Sequence, residues 1–152
     1  QQLQMNRPFR KSQVIVYIEF FLIIVVLAGS GSLPQFNTHG ALVLALGLIL
    51  GAWTLATNRP DNFNINHKAK EGASLCFNGP YRFLKHPMYL AVLLALAGIC
   101  LMSLSWLSVL AWVGLVFVLD RKSRLEERSL IKRSGDYERY SMQTKRFIPS
   151  LY

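Results

Sequence analysis

Apolar positions along the chain gather into three long runs, each closed by a polar, turn-forming or basic segment. The first, residues 14–28, is uncharged apart from Glu19 and stops at Gly29-Ser30-Gly31-Ser32. The glycines there lack the strand-turn-helix setting of a nucleotide-binding loop and read as a helix stop. The second run, residues 41–57, carries Trp53 near its end and closes at Asn58-Arg59-Pro60-Asp61. The third, residues 88–119, contains no charged side chain at all. At about 1.5 Å per residue, one straight helix over that run would reach roughly 48 Å, well past a hydrocarbon core of about 30 Å. Both of its flanks are basic, and basic flanks favour the cytoplasmic face. The run is therefore predicted to enter and return as a helical hairpin turning near Ser103-Leu104-Ser105-Trp106. Each limb is then slightly short for a straight crossing.

The pattern predicts an all-α integral membrane protein, a single domain over residues 1–152, with about four transmembrane helices at 14–29, 40–57, 87–103 and 105–120. Residues 58–86 form a cytoplasmic loop and 121–152 a cytoplasmic tail. Residues 1–13, polar with Arg7, Arg10 and Lys11, are expected to be loose or interfacial. The basic flank and small-residue exit of the first run also fit a secretory signal peptide. The tail is predicted to continue as a charged helix through about Ser134, with Gly135 as its stop and Asp136 as the cap of a short second helix. Asp120 with Arg124, and Lys122 with Glu126, stand four apart and can form ordinary surface pairs.

Composition supports the membrane reading. Hydrophobic residues make up 52% of the chain, yet its formal charge is +9. The two reconcile because apolar and basic residues are segregated: of 17 Lys and Arg, 3 precede the first helix, 5 fall within residues 58–87 and 9 follow Leu119. None is left for the two outer turns, a positive-inside pattern with both termini cytoplasmic. The chain is expected in a bacterial inner membrane among membrane lipids. Nucleic-acid binding would account for the charge but not for the uncharged runs. Cys76 and Cys100 fall at different depths and are not expected to pair, and His39, His67 and His86 lack metal-ligand spacing, so no metal is expected.

Candidate chemistry concentrates where the loop launches the third apolar run. Asn78-Gly79-Pro80 is turn chemistry, and Pro87 suits the first turn of a helix, where its missing N–H has no partner to lose. Arg82, Lys85 and His86 stand just ahead of that helix, whose free amides favour an anionic group. The plainer reading is a basic collar that only fixes topology. Similarly, His86 can be a helix cap, Tyr81 and Tyr89 interfacial belt aromatics, and Glu126-Glu127 a solvated foil to nearby cations. Glu19 is the anomaly: it either snorkels to the interface or faces the bundle and borders a lipid access path.

Taken together, the two cytoplasmic segments resemble the isoprenylcysteine carboxyl methyltransferase and phospholipid methyltransferase superfamily of integral-membrane enzymes. That family's pattern is R-H-P-x-Y-x-G, a hydrophobic hairpin, then E-E. Here it reads Lys85-His86-Pro87-Met88-Tyr89-Leu90-Ala91, the uncharged stretch to Leu119, and Glu126-Glu127. Asn62-Phe63-Asn64, Lys70-Glu71-Gly72 and Gly79-Pro80-Tyr81-Arg82 match before it, and Leu130, Gly135, Tyr137, Tyr140 and Arg146-Phe147-Ile148-Pro149 after it. Lys85 in place of Arg keeps the charge but loses the planar fork, Ala91 replaces Gly, and Ser134 stands where an aromatic is common.

The resemblance implies methyl transfer from S-adenosylmethionine, leaving S-adenosylhomocysteine, to a lipid-like acceptor, in a pocket made by the cytoplasmic loop and the C-terminal helices. Carried onto matching positions, cofactor contacts fall to Lys68, Ala73, Ser74, Leu75, Cys76, Tyr81, His86, Pro87, Met88, Tyr89 and Glu127. Glu126, with Lys122 four residues earlier where the prenylcysteine enzymes look to carry Arg, would act at the acceptor. Carboxylate O-methylation of the isoprenylcysteine type is the leading expectation, with phospholipid N-methylation the alternative and a small apolar thiol or acid also open. Two other classes compete: a four-helix proton-coupled exporter using Glu19, and the membrane sterol reductases, which share the C-terminal likeness but use a nicotinamide. The oligomeric state is open, although four thin spans could pair to complete a site.

Overall fold

Each apolar run becomes helix, as its pattern requires. The structure, a computed structural model, describes residues 2–31, 37–57, 77–132 and 135–147. Among these residues there are five α-helices and no strand: α1 (Gln2–Gly29), α2 (Thr38–Thr57), α3 (Pro87–Ser103), α4 (Trp106–Ile131) and α5 (Gly135–Gln143). A 3-10 turn, Gly79–Arg82, precedes α3.

Local chemistry sets the boundaries. Asn37 caps α2, its Oδ1 accepting from the His39 N–H at 2.9 Å. Pro87 occupies the first turn of α3, as expected. The turn between α3 and α4 is tight: Leu104 takes a left-handed conformation at φ 49° and donates its N–H to Cys100 O at 2.9 Å, while the Ser105 side chain caps α4. The predicted hairpin is thus present at the predicted turn. The N-terminal segment, expected to be loose or interfacial, is helical from Gln2 and so not loose, its Gln, Leu, Met, Arg and Lys being good helix formers that simply extend α1. The tail helix expected through Ser134 ends earlier, at Ile131, and α5 begins at Gly135.

The helices pack in the spatial order α2, α3, α4, α1. Small residues let α2 and α3 approach closely. A Cβ on Gly98 would lie 2.5 Å from Leu44 N, and one on Gly47 would overlap the backbone of Ala95. The second seam joins α4 to both α3 and α1 around Val26, Leu93, Leu96, Cys100, Ala111, Leu115 and Leu119. Polar side chains tie it: Trp112 Nε1 donates to Leu93 O at 2.9 Å and Ser108 Oγ to Val26 O at 3.0 Å.

Large apolar side chains point outward, including Leu46, Ile49 and Trp53 on α2, Phe117 on α4 and Phe21 on α1, whereas the buried positions of α2 are Gly40, Gly47 and Thr54. That arrangement suits lipid contact. By length and composition, α2 is the one helix among the described residues able to cross a membrane. Residues Gln13–Gly29 and Pro87–Ser103 are apolar but shorter.

Candidate active site

The face of α4 that fills the core continues beyond the apolar run, so Ser108, Ala111, Leu115 and Leu119 are followed on one side of the helix by Lys122, Ser123 and Glu127. Charged groups are thereby carried to the end of the bundle where α3 begins. Buried charge is costly unless paired, and here each has partners.

Glu127 is the hub. Its Oε1 accepts from Arg146 Nε at 2.6 Å and from His86 Nε2 at 3.1 Å; its Oε2 accepts from Arg146 Nη2 at 3.1 Å and from Lys85 Nζ at 3.4 Å. The forked Arg146 contact has the planar geometry that makes such pairs strong. Burial alone would raise the Glu127 carboxyl, but the hydrogen bonds from His86 and Arg146 and the charges of His86 and Lys85 outweigh it and hold it well below the usual carboxylate range. Nearby, burial and then the negative charge of Glu127 push the Tyr137 phenol well above its usual range, so it stays neutral.

Glu126 faces the other side of His86. Tyr89 Oη donates to Glu126 Oε1 at 2.6 Å, and His86 Nδ1 stands 3.7 Å from Glu126 Oε2. The His86 and Tyr89 rings stack, with centroids 5.3 Å apart and planes within 2°. His86 occupies the cap position of α3 yet makes no side-chain cap bond, so the capping reading fails: its two nitrogens face the two glutamates.

The tail closes this end. Lys85 N–H donates to Lys145 O at 2.8 Å and His86 N–H to Arg146 O at 3.3 Å. Tyr140 Oη donates to the backbone carbonyls of Tyr81 and Leu84, and Lys85 Nζ donates to Ser141 Oγ at 2.9 Å. Through these bonds the loop before α3 and the segment after α5 hold each other in register.

Of the residues singled out from sequence, His86, Tyr89, Glu126, Glu127 and Lys122 meet where the start of α3 lies against the charged end of α4, with Pro87 buried and Met88 half-buried beside them. Tyr81 is half-buried on the 3-10 turn and meets the tail through its carbonyl. Lys68, Ala73, Ser74, Leu75 and Cys76 lie outside the described residues. The Asp120–Arg124 pair forms at 2.9 Å. Lys122 takes a different partner from the one its spacing suggested: its Nζ meets Glu19 Oε2 at 2.5 Å, and it lies over the Tyr89 ring at 5.1 Å from the centroid. Glu19 therefore faces the bundle and does not snorkel. Sequence reasoning assigned no role to Arg146, which also reaches Asp120 Oδ1 at 3.5 Å. Its signal was present in the match at Arg146-Phe147, but nothing local marks which carboxylate a tail arginine will find.

The sequence profile of a phospholipid methyltransferase family matches residues 36–136, about two-thirds of the chain. The chain belongs to this family. It is part of the isoprenylcysteine and phospholipid methyltransferase superfamily that the motifs resemble, and it is accordingly a membrane methyltransferase. Comparison with curated proteins gives no match. The matched range includes His86, Tyr89, Lys122, Glu126 and Glu127; Glu19 and Arg146 lie outside it. In this methyltransferase the shared motif is thus completed by an arginine and a glutamate from its two flanks.

Proposed function

We propose that this methyltransferase moves a methyl group from S-adenosylmethionine to the polar head of a lipid-like acceptor, at the cytoplasmic end of four membrane-crossing helices. The observation that carries the reading is the meeting of His86, before the hairpin, with Glu126 and Glu127, after it. The residues suit the cofactor by type. Lys85 and Arg146 share the single carboxylate of Glu127 and so leave positive charge for the cofactor's carboxylate, and the His86–Tyr89 stack is a flat face for its rings. Glu127 holds that set in place. Lys68, Tyr81, Pro87, Met88 and Ala73 to Cys76 are assigned to the same site on the resemblance.

When bound, S-adenosylmethionine supplies a methyl group already activated by the positive sulfur that carries it. The protein needs no nucleophile of its own, so its work is alignment and exclusion of water. Glu126, oriented by Tyr89 Oη, is the group we assign to take a proton from the acceptor.

The ion pairing favours an amine acceptor. A carboxylate acceptor would call on Lys122, which is already matched by Glu19, whereas Glu126 presents a carboxylate with 21% of its side chain exposed. The carboxylate alternative keeps the support of the prenylcysteine-like placing of Lys122 four residues before Glu126. Labelled-methyl transfer by the purified protein in native lipid tests both readings. Label in an amine lipid is expected; label only in a carboxylate ester would overturn the amine assignment, and no label in any lipid would overturn lipid methylation.

A further inference from the structure

The four charged or polar groups at the apolar edge of the site form one chain across three helices. Glu19 of α1 pairs with Lys122 of α4 at 2.5 Å, Lys122 sits over the ring of Tyr89 of α3, and Tyr89 Oη donates to Glu126 at 2.6 Å. The pair is well shielded, with 8% of the Lys122 side chain and 13% of the Glu19 side chain exposed. Shielding matters because charges in a medium of low polarity act on each other strongly and are little screened by salt.

Without Glu19, Lys122 and Glu126, one helical turn apart on α4, would cancel, and the edge would carry no net charge. With Glu19 present, Lys122 is neutralised from the α1 side and is not available to Glu126, which keeps the Tyr89 hydroxyl and, at 3.7 Å, His86 Nδ1 as its neighbours and turns its negative charge toward an incoming headgroup. We propose that Glu19 is a specificity-determining residue: by neutralising Lys122 it makes the acceptor site select a cationic ammonium head and reject a carboxylate. It acts through Lys122, as a positioning residue, and lies outside the part of the chain that the family profile matches. The inference rests on the amine reading of the acceptor.

The test is a competition for binding without cofactor. Purified protein in neutral detergent is offered equal amounts of stearylamine and stearate, which share a tail and differ in the sign of the head, and the bound ratio is read by native mass spectrometry. Wild type is expected to hold the amine in preference. Glu19→Gln is expected to shift the ratio toward stearate by about tenfold or more, the scale of one unit charge acting across a partly shielded site. The double variant Glu19→Gln with Lys122→Gln, which removes both partners of the pair, is expected to restore the amine preference, an outcome that a merely structural role does not produce. If Glu19→Gln does not fold, Lys122→Gln alone carries the question and should raise the amine preference above wild type. An amine preference in wild type that these substitutions leave unchanged, or equal loss of both ligands in Glu19→Gln, overturns the role of Glu19. A wild type that prefers stearate overturns the amine reading itself.

Discussion

Glu127 shows how one carboxylate can organise a site. It is nearly inaccessible, and it receives donors from His86, Lys85 and Arg146, which come from the loop before α3 and from the tail after α5. Its pKa is lowered on folding, so its contribution to stability is fully present above the ordinary Glu value of about 4.3 and is lost as pH falls below that value. Removing the charge while keeping the shape should expose this contribution. Glu127→Gln is expected to lower stability at pH 7 by about 3 kcal/mol. The two thermal unfolding midpoints in detergent should converge as the pH is brought from 7 toward 3. Parallel curves would mean that the charge of Glu127 is not what holds the tail. That His86, Tyr89, Glu126 and Glu127 come together was legible because the motif and its spacing set them on either side of a hairpin. Their partners were not legible. The Glu19 to Lys122 pair spans most of the chain, and local spacing pointed instead to Glu126, because the apolar environment that forces Glu19 to find a cation exists only after folding.

At the scale of elements, the hairpin of α3 and α4 is what makes a site from residues far apart in sequence. Its turn was readable from length alone, since an uncharged run too long for one crossing between two basic flanks has to return. Helix order was less readable. All four apolar segments look alike in pattern, and the choice of neighbours rests on fit at particular positions. Gly47 and Gly51 illustrate this. A Cβ at Gly47 would overlap the backbone of Ala95, which cannot move aside as a side chain can, whereas one at Gly51 would meet only the Ala91 Cβ at an ordinary 3.6 Å. Gly47→Ala should therefore destabilise the protein by about 1–3 kcal/mol, and Gly51→Ala should be neutral or slightly stabilising because alanine is the better helix former. Thermal unfolding of the pair checks it; equal effects would remove close α2–α3 contact as the basis of that seam.

For the whole molecule, the distribution of charge and the distribution of shape agree. The site lies at the end of the bundle where α3 starts and the charged part of α4 begins, and the Lys and Arg residues are confined to the segments leading to and from that end. The opposite end carries the Leu104 turn with Trp106, both strongly exposed and uncharged. Net charge, apolar outer faces and a polar cluster thus fit one object: a helical membrane protein whose proposed site lies at its basic end. The central claim is that the junction around His86 and the glutamate pair binds the methyl donor. Calorimetric titration of S-adenosylhomocysteine into the purified protein and into His86→Ala, with helicity of both checked by circular dichroism, tests it most directly. Saturable binding by wild type, weakened at least about tenfold in a folded His86→Ala, a loss of roughly 1.4 kcal/mol or more, is the expected result. Equal affinity in the two proteins, or no binding by wild type, would contradict the account.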